Sequence, residues 1–265
     1  MVIKLIIVLF LLLIIVGGDR GVRSCVTLIL NVLIGIGSIY LISFGMSPLL
    51  VMVAASLLFC LFTIFYQNEF NVKTLAVFLS VASVVFVTSI LIFYIGFHAH
   101  IAGLNEIEMQ EEDVSYLSAA VHFRMLYVLI AAMVWGQLGA IVDTSIAISS
   151  SLHEIHHHNS GLSVRKLFQE GCFIGKDILG TTINTLFFVS MGESIMLFLY
   201  YMNYQYSLQK ILNSSSFFQT VFPVLLPCMG CILIIPLTAL VFSLLVKNPK
   251  VSAYFEKKNT AGKTA

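Results

Sequence analysis

The sequence predicts an all-α, polytopic membrane bundle of about seven spanning helices. Of its 265 residues, 59% are apolar and only 10% charged, whereas soluble domains carry about a quarter charged residues. Apolar runs recur at lengths near the roughly twenty residues that a spanning helix needs. Most of the remaining charge falls between those runs. A net charge of +1 offers nucleic acid no concentrated basic surface. The absence of a P-loop argues against ATP hydrolysis by this chain. It reads as a non-enzymatic membrane protein without a cofactor, with the lipid bilayer as its first partner.

The spans run over roughly 2–17, 23–43, 48–66, 74–97, 125–148, 179–202 and 219–246. The first is short and ends at "GGDRG", because two glycines and two charges do not stay in hydrocarbon. Residues 1–17 have the look of a signal-peptide core with Lys4 ahead of it. However, Arg20 and Arg23 follow the run and no A-x-A site is present, so a retained helix is expected. The next three spans are apolar runs of bilayer length. An acidic loop over 98–122 then carries Glu106, Glu108, Glu111, Glu112 and Asp113. It reads as a solvated face, with a cation-attracting vestibule as the sharper alternative.

Lysine and arginine set the expected orientation. With seven spans and the C-terminus inside, only Lys4, Arg124 and Lys210 lie outside, and the other eleven of fourteen lie inside. The expected topology is N-out and C-in. It forms one integral membrane domain over 1–265, a bundle to about 248 followed by a basic cytoplasmic tail at 249–265.

The fifth and sixth spans carry the unusual chemistry. An intramembrane carboxylate costs a few kcal/mol and needs a partner or water. Asp143 lies toward the inner end of the fifth span. Asp177 is expected at the inner mouth of the sixth, and Glu193 deeper along it. Gly136 and Ala140 lie four apart, as do Gly139 and Asp143, and Ser145 and Ser149. Asp177, Thr181, Asn184 and Thr185 share a helical face at spacings of three and four. Small residues allow close backbone approach, and hydroxyls and amides bond across it. The expected packing residues are Gly136, Gly139, Gly175 and Gly180. The expected polar seam between the two spans contains Asp143, Thr144, Ser149, Asp177, Thr181, Asn184, Thr185 and Glu193. "GAIVDTSIAIS" from Gly139 also echoes "GTTINTLFFVS" from Gly180 in a span of opposite direction, as an inverted repeat does.

Two short motifs read as accidents of context. "HEIHH" places His153 and His157 on one helical face with Glu154 beside them, in the zinc-protease pattern. A catalytic zinc needs a third protein ligand, and none is evident, so a wet helix end is expected, with His153 and His157 as a weak metal candidate. "CMGC" at 228–231 lies in an apolar run and reads as buried thiols. The five cysteines suggest no disulfide framework. Between these spans, 159–178 has the spacing of an amphipathic helix lying on the inner face. Pro223, Pro227 and Pro236 predict a broken seventh span.

"GQLGAIVDTSIAISSSLHEI" and "GKDILGTTINTLFFVSMGESI", with "GGDRGVRS" and "FNVKTLAVFLS", resemble the YibE/F-like family of bacterial multi-pass membrane proteins over about residues 5–245. The family pattern falls on Gly136, Gly139, Asp143, Ser149, Ser150, Gly175, Asp177, Gly180, Thr181, Asn184 and Thr185. The resemblance implies a plasma-membrane location and a low-GC Gram-positive source. It also implies the shorter, YibF-like member of a pair with a longer YibE-like paralogue. It implies no particular activity. The residues lead us to expect a transporter or channel component that moves a small ion or solute through the seam. The alternative is a non-transporting subunit assembling with the longer partner or with itself. A remote third reading is an intramembrane metalloprotease.

Overall fold

The computed structural model describes residues 1–68, 70–98 and 125–248. Most of the acidic loop and the basic tail lie outside the described residues. Every element among those described is helical: α1 (Val2–Ser43), α2 (Pro48–Cys60) running on into a π-helical turn (Leu61–Tyr66), α3 (Val72–His98), α4 (Met125–His158), α5 (Val164–Asn203), α6 (Leu208–Leu212) and α7 (Ser215–Lys247). Six of these helices are long and apolar enough to cross a membrane.

The difference from seven lies in the first helix. The expected spans 2–17 and 23–43 are the two helical arms of α1, which meet at a kink with non-helical backbone at Gly18 (φ 53°, ψ −132°). Glycine occupies positive φ without a Cβ clash, so a single residue bends the chain where a polar loop was expected. The bend is sharp. It brings the Leu13 carbonyl against Gly21, where no Cβ would fit. The "GGDRG" boundary is therefore present, as a hinge between two arms.

Local signals set the other ends. Pro48 opens α2, at a position where its missing N–H is not needed. Ser163, Ser207 and Ser214 cap α5, α6 and α7, each hydroxyl accepting from a backbone N–H three residues on. Two other expectations change. The amphipathic segment 159–178 is not a separate interfacial helix, because α5 starts at Val164 and continues for 40 residues. Leu167 is fully buried, and Phe168 and Cys172 join the same core cluster. Nor is the last span broken. α7 continues for 33 residues through Pro223, Pro227 and Pro236, as membrane helices can when neighbours satisfy the freed carbonyls.

α7 packs against α3, α4 and α5, and α4 also packs against α2, α3 and, as expected of the fifth and sixth spans, α5. Ile141, Val142, Leu138 and Ile234 form one core with Val77 and Val81. Ile148, Leu152, Leu167, Ala239 and Phe242 form another. Glycines permit the tightest crossings. A Cβ at Gly171 would lie 2.7 Å from the Ala239 side chain, and one at Gly230 would lie 2.6 Å from Ile141 Cδ1. A Cβ at Gly175 would collide with Ile235. Most side chains of α1 and of the second half of α5 are exposed to the surroundings of the chain.

Candidate functional site

The buried polar face of α4 is used, though by helices other than the expected one. Ser145 and Thr238 of α7 share a hydrogen bond of 2.8 Å. Thr144 donates to its own helix at the Ala140 carbonyl and lies 3.5 Å from the Cys231 sulfur of α7. Ser149 donates to the Lys73 carbonyl at the start of α3. Gln137 donates to Thr88 of α3 at 2.7 Å. Thr144, Ser145, Ser149 and Gln137 are all essentially inaccessible, at 1% or less. This is dry interhelical bonding.

The remaining expected site residues lie on the outside of the chain. Asp143, Asp177, Thr181, Asn184, Thr185 and Glu193 are all exposed. Thr181 and Thr185 donate to carbonyls of their own helix. Among the described residues, no hydrogen bond joins the α4 residues of the expected seam to those of α5. The glycines divide similarly. Gly175 packs against Ile235, whereas a Cβ at Gly136, Gly139 or Gly180 would meet nothing within 4 Å.

Helix registers correct the expected depth of Asp177. On α7, Gly230 meets Ile141 and Thr238 meets Ser145, which puts Asp143 level with residues near 234. Gly171 meets Ala239 and Gly175 meets Ile235, which puts Asp177 level with residues near 233. The two carboxylates thus sit at about the same depth, because α5 begins at Val164 and Asp177 lies about 20 Å along it at 1.5 Å per residue. The echoed segments are only partly equivalent. Gly139 and Gly180 both face open space, and Asp143 and Asn184 are both exposed, but Thr144 is buried where Thr185 is exposed.

His153 and His157 both stand at the exposed end of α4. The His153 ring lies edge-on to Phe242, and that of His157 edge-on to His158. Among the described residues, no group of three His, Cys, Asp or Glu is placed to hold a metal.

A second polar system was not anticipated. Asp19, Arg20 and Arg23 of α1, Lys73 of α3, and His153 and Glu154 of α4 line a cavity of about 850 Å³. This is the charged mouth of the bundle. Ser24 and Gln67 belong to the same lining, and Gln67 donates to Ser24 at 3.0 Å. Two turns further along α1, Asn31 Nδ2 donates to Thr63 Oγ1 at 3.2 Å. Thr63 lies within the π-helical turn, a deviation frequent at functional sites. The sequence held a signal for this column. Ser24, Thr27 and Asn31 recur at spacings of three and four in the second expected span, and Gln67 lies four residues after Thr63, just past the end of the third.

A family model described as YibE/F-like protein matches residues 5–248, and the chain belongs to that family. No curated protein and no solved structure matches the chain significantly.

Proposed function

With a YibE/F-like membrane chain as the premise, we propose that this protein is a subunit of a membrane transport assembly whose solute path is completed by a second membrane polypeptide. One observation carries the reading. Asp143 is exposed near the middle of a 34-residue helix, with no hydrogen bond or ion pair among the described residues. A carboxylate facing lipid costs roughly 3 kcal/mol at the centre of a span. The covering partner is either the longer YibE-like paralogue or a second copy. Asp177 at the same depth, with Thr181, Asn184, Thr185 and Glu193, extends the exposed polar surface along α5. Intramembrane carboxylates of this kind serve ion and solute pathways, and small exposed positions such as Gly136, Gly139 and Gly180 suit close helix approach.

The test is reconstitution of the assembly in proteoliposomes loaded with Na⁺- and H⁺-sensitive dyes. Asp143→Asn combined with Asp177→Asn is expected to abolish gradient-driven flux while leaving the chain folded and assembled. Flux equal to wild type in the double variant overturns the proposal. The dry bonding of Thr144 and Ser149 favours one other reading, in which the outer face serves assembly alone. Under it, cysteines at 143, 181 and 184 cross-link to a neighbouring chain but never react with aqueous thiol reagents.

A further inference from the structure

Among the described residues, all thirteen that line the charged mouth are polar or charged, in a chain that is 59% apolar. Its cations and acids do not neutralise one another. No hydrogen bond or ion pair among the described residues engages the Arg20 guanidinium, the Lys73 ammonium, or the carboxylates of Asp19 and Glu154. The walls that carry these groups are tied together by other bonds. Gln67, at the end of the π-helical turn, donates to Ser24 of α1 at 3.0 Å. Ser149 of α4 donates to the Lys73 carbonyl at 2.9 Å, which holds the start of α3 against α4. A site shaped before its ligand arrives loses little freedom on binding. The volume of about 850 Å³ falls within the roughly 300–1,000 Å³ of small-molecule sites.

A ligand that meets this lining needs ionised oxygens for Arg20 and Lys73, which are donors only, and a proton to give to Asp19 or Glu154, which when ionised only accept. Sulfate supplies the oxygens without the proton. A phosphate group supplies both, because its second ionisation lies near pH 6 in esters and one oxygen stays protonated below that. We propose that the charged mouth binds a protonated phosphate group, with Arg20 and Lys73 on the ionised oxygens and Asp19 or Glu154 accepting from the P–O–H. The group comes either as soluble phosphate or as the headgroup of a lipid. Lys73 opens α3, and Glu154 lies in the last two turns of α4, so the cavity sits where the apolar runs stop. Basic pockets between spanning helices take lipid phosphates at that level. The site includes neither Asp143 nor Asp177.

The experiment measures binding of radiolabelled inorganic phosphate to the full chain in phosphatidylcholine nanodiscs at about pH 6. The expected result is saturable binding that unlabelled phosphate displaces and sulfate does not. Arg20→Gln and Lys73→Gln should each weaken it at least about tenfold, the scale of a lost charge-assisted hydrogen bond, with the unfolding temperature unchanged. Asp19→Asn combined with Glu154→Gln should let sulfate compete, because the new amides can donate to it. That gain of binding separates recognition from misfolding. Nanodiscs containing phosphatidic acid or phosphatidylglycerol identify the source. Displacement of the label by phosphatidic acid alone marks a lipid headgroup, and displacement by neither marks a soluble ligand. Absence of saturable phosphate binding, together with no phosphatidic acid retained on the purified chain, overturns the proposal. So does binding undiminished in both Arg20→Gln and Lys73→Gln, or competition by sulfate equal to that by phosphate in the wild type.

Discussion

Ser145 of α4 and Thr238 of α7 share a hydrogen bond of 2.8 Å in a region that neither water nor lipid reaches. Interhelical bonds of this kind couple by about 0.6 kcal/mol on average in membrane proteins, because the separated helices find other partners. A double-mutant cycle with Ser145→Ala and Thr238→Val should give a coupling of about that size. Thermal unfolding in detergent measures it, and strictly additive losses would show that the bond contributes nothing net.

Glycine substitutions should separate the packed face from the open one. Gly175→Ala drives a methyl into Ile235 and should destabilise the chain by about 1–3 kcal/mol, the cost of overpacking. Gly136→Ala and Gly180→Ala meet nothing within the chain and should leave its unfolding temperature unchanged. Loss of association with a second chain in those two variants, at unaltered stability, is the outcome expected of an assembly face. Chemical cross-linking in native membranes reads it.

Gly18→Ala places an L side chain at a φ of 53° and a ψ of −132°. Such backbone costs about 1–3 kcal/mol for a residue other than glycine. The variant should relieve this by opening the bend, separating Leu13 from Gly21. Spin labels at 10 and 28 report the change as a longer distance between the arms. An unaltered distance would mean that contacts of the arms, and not Gly18, hold the angle.

Removing charge from the outer face should help the isolated chain. Asp143→Asn leaves an amide where a carboxylate faced the surroundings, and a carboxylate in mid-span is opposed by roughly 3 kcal/mol. The variant should be at least as stable as wild type when purified alone, and defective only within the assembly. Lower stability of the isolated variant would place an unseen partner for Asp143 inside the chain.

The helical class and most span positions were legible because both follow from bulk hydropathy and bilayer thickness. The pairing of faces was not. Polar residues on α4 and α5 share the spacing of an interface, yet Thr144, Ser145 and Ser149 bond to α7 and α3. Periodicity shows that a helix has a polar face without saying which neighbour meets it. The acid depth was misjudged for a related reason. The segment 159–178 reads as an amphipathic helix lying on the inner face, but Ser163 caps a helix that continues without interruption to Asn203, which carries Asp177 up to the level of Asp143. The Asn31–Thr63 column was overlooked because its members are neutral and singly spaced within very apolar runs.

The position of α7 has a consequence for how the protein is made. Three helices, α3, α4 and α5, rest against it, and all three precede it in the chain. Until residues 215–247 enter the bilayer, Gly171 and Gly175 have nothing to receive them and Ser145 has no Thr238. Translation thus supplies the shared neighbour of three helices only after all three have been made, so a chain stopped before residue 215 lacks every contact that α7 provides.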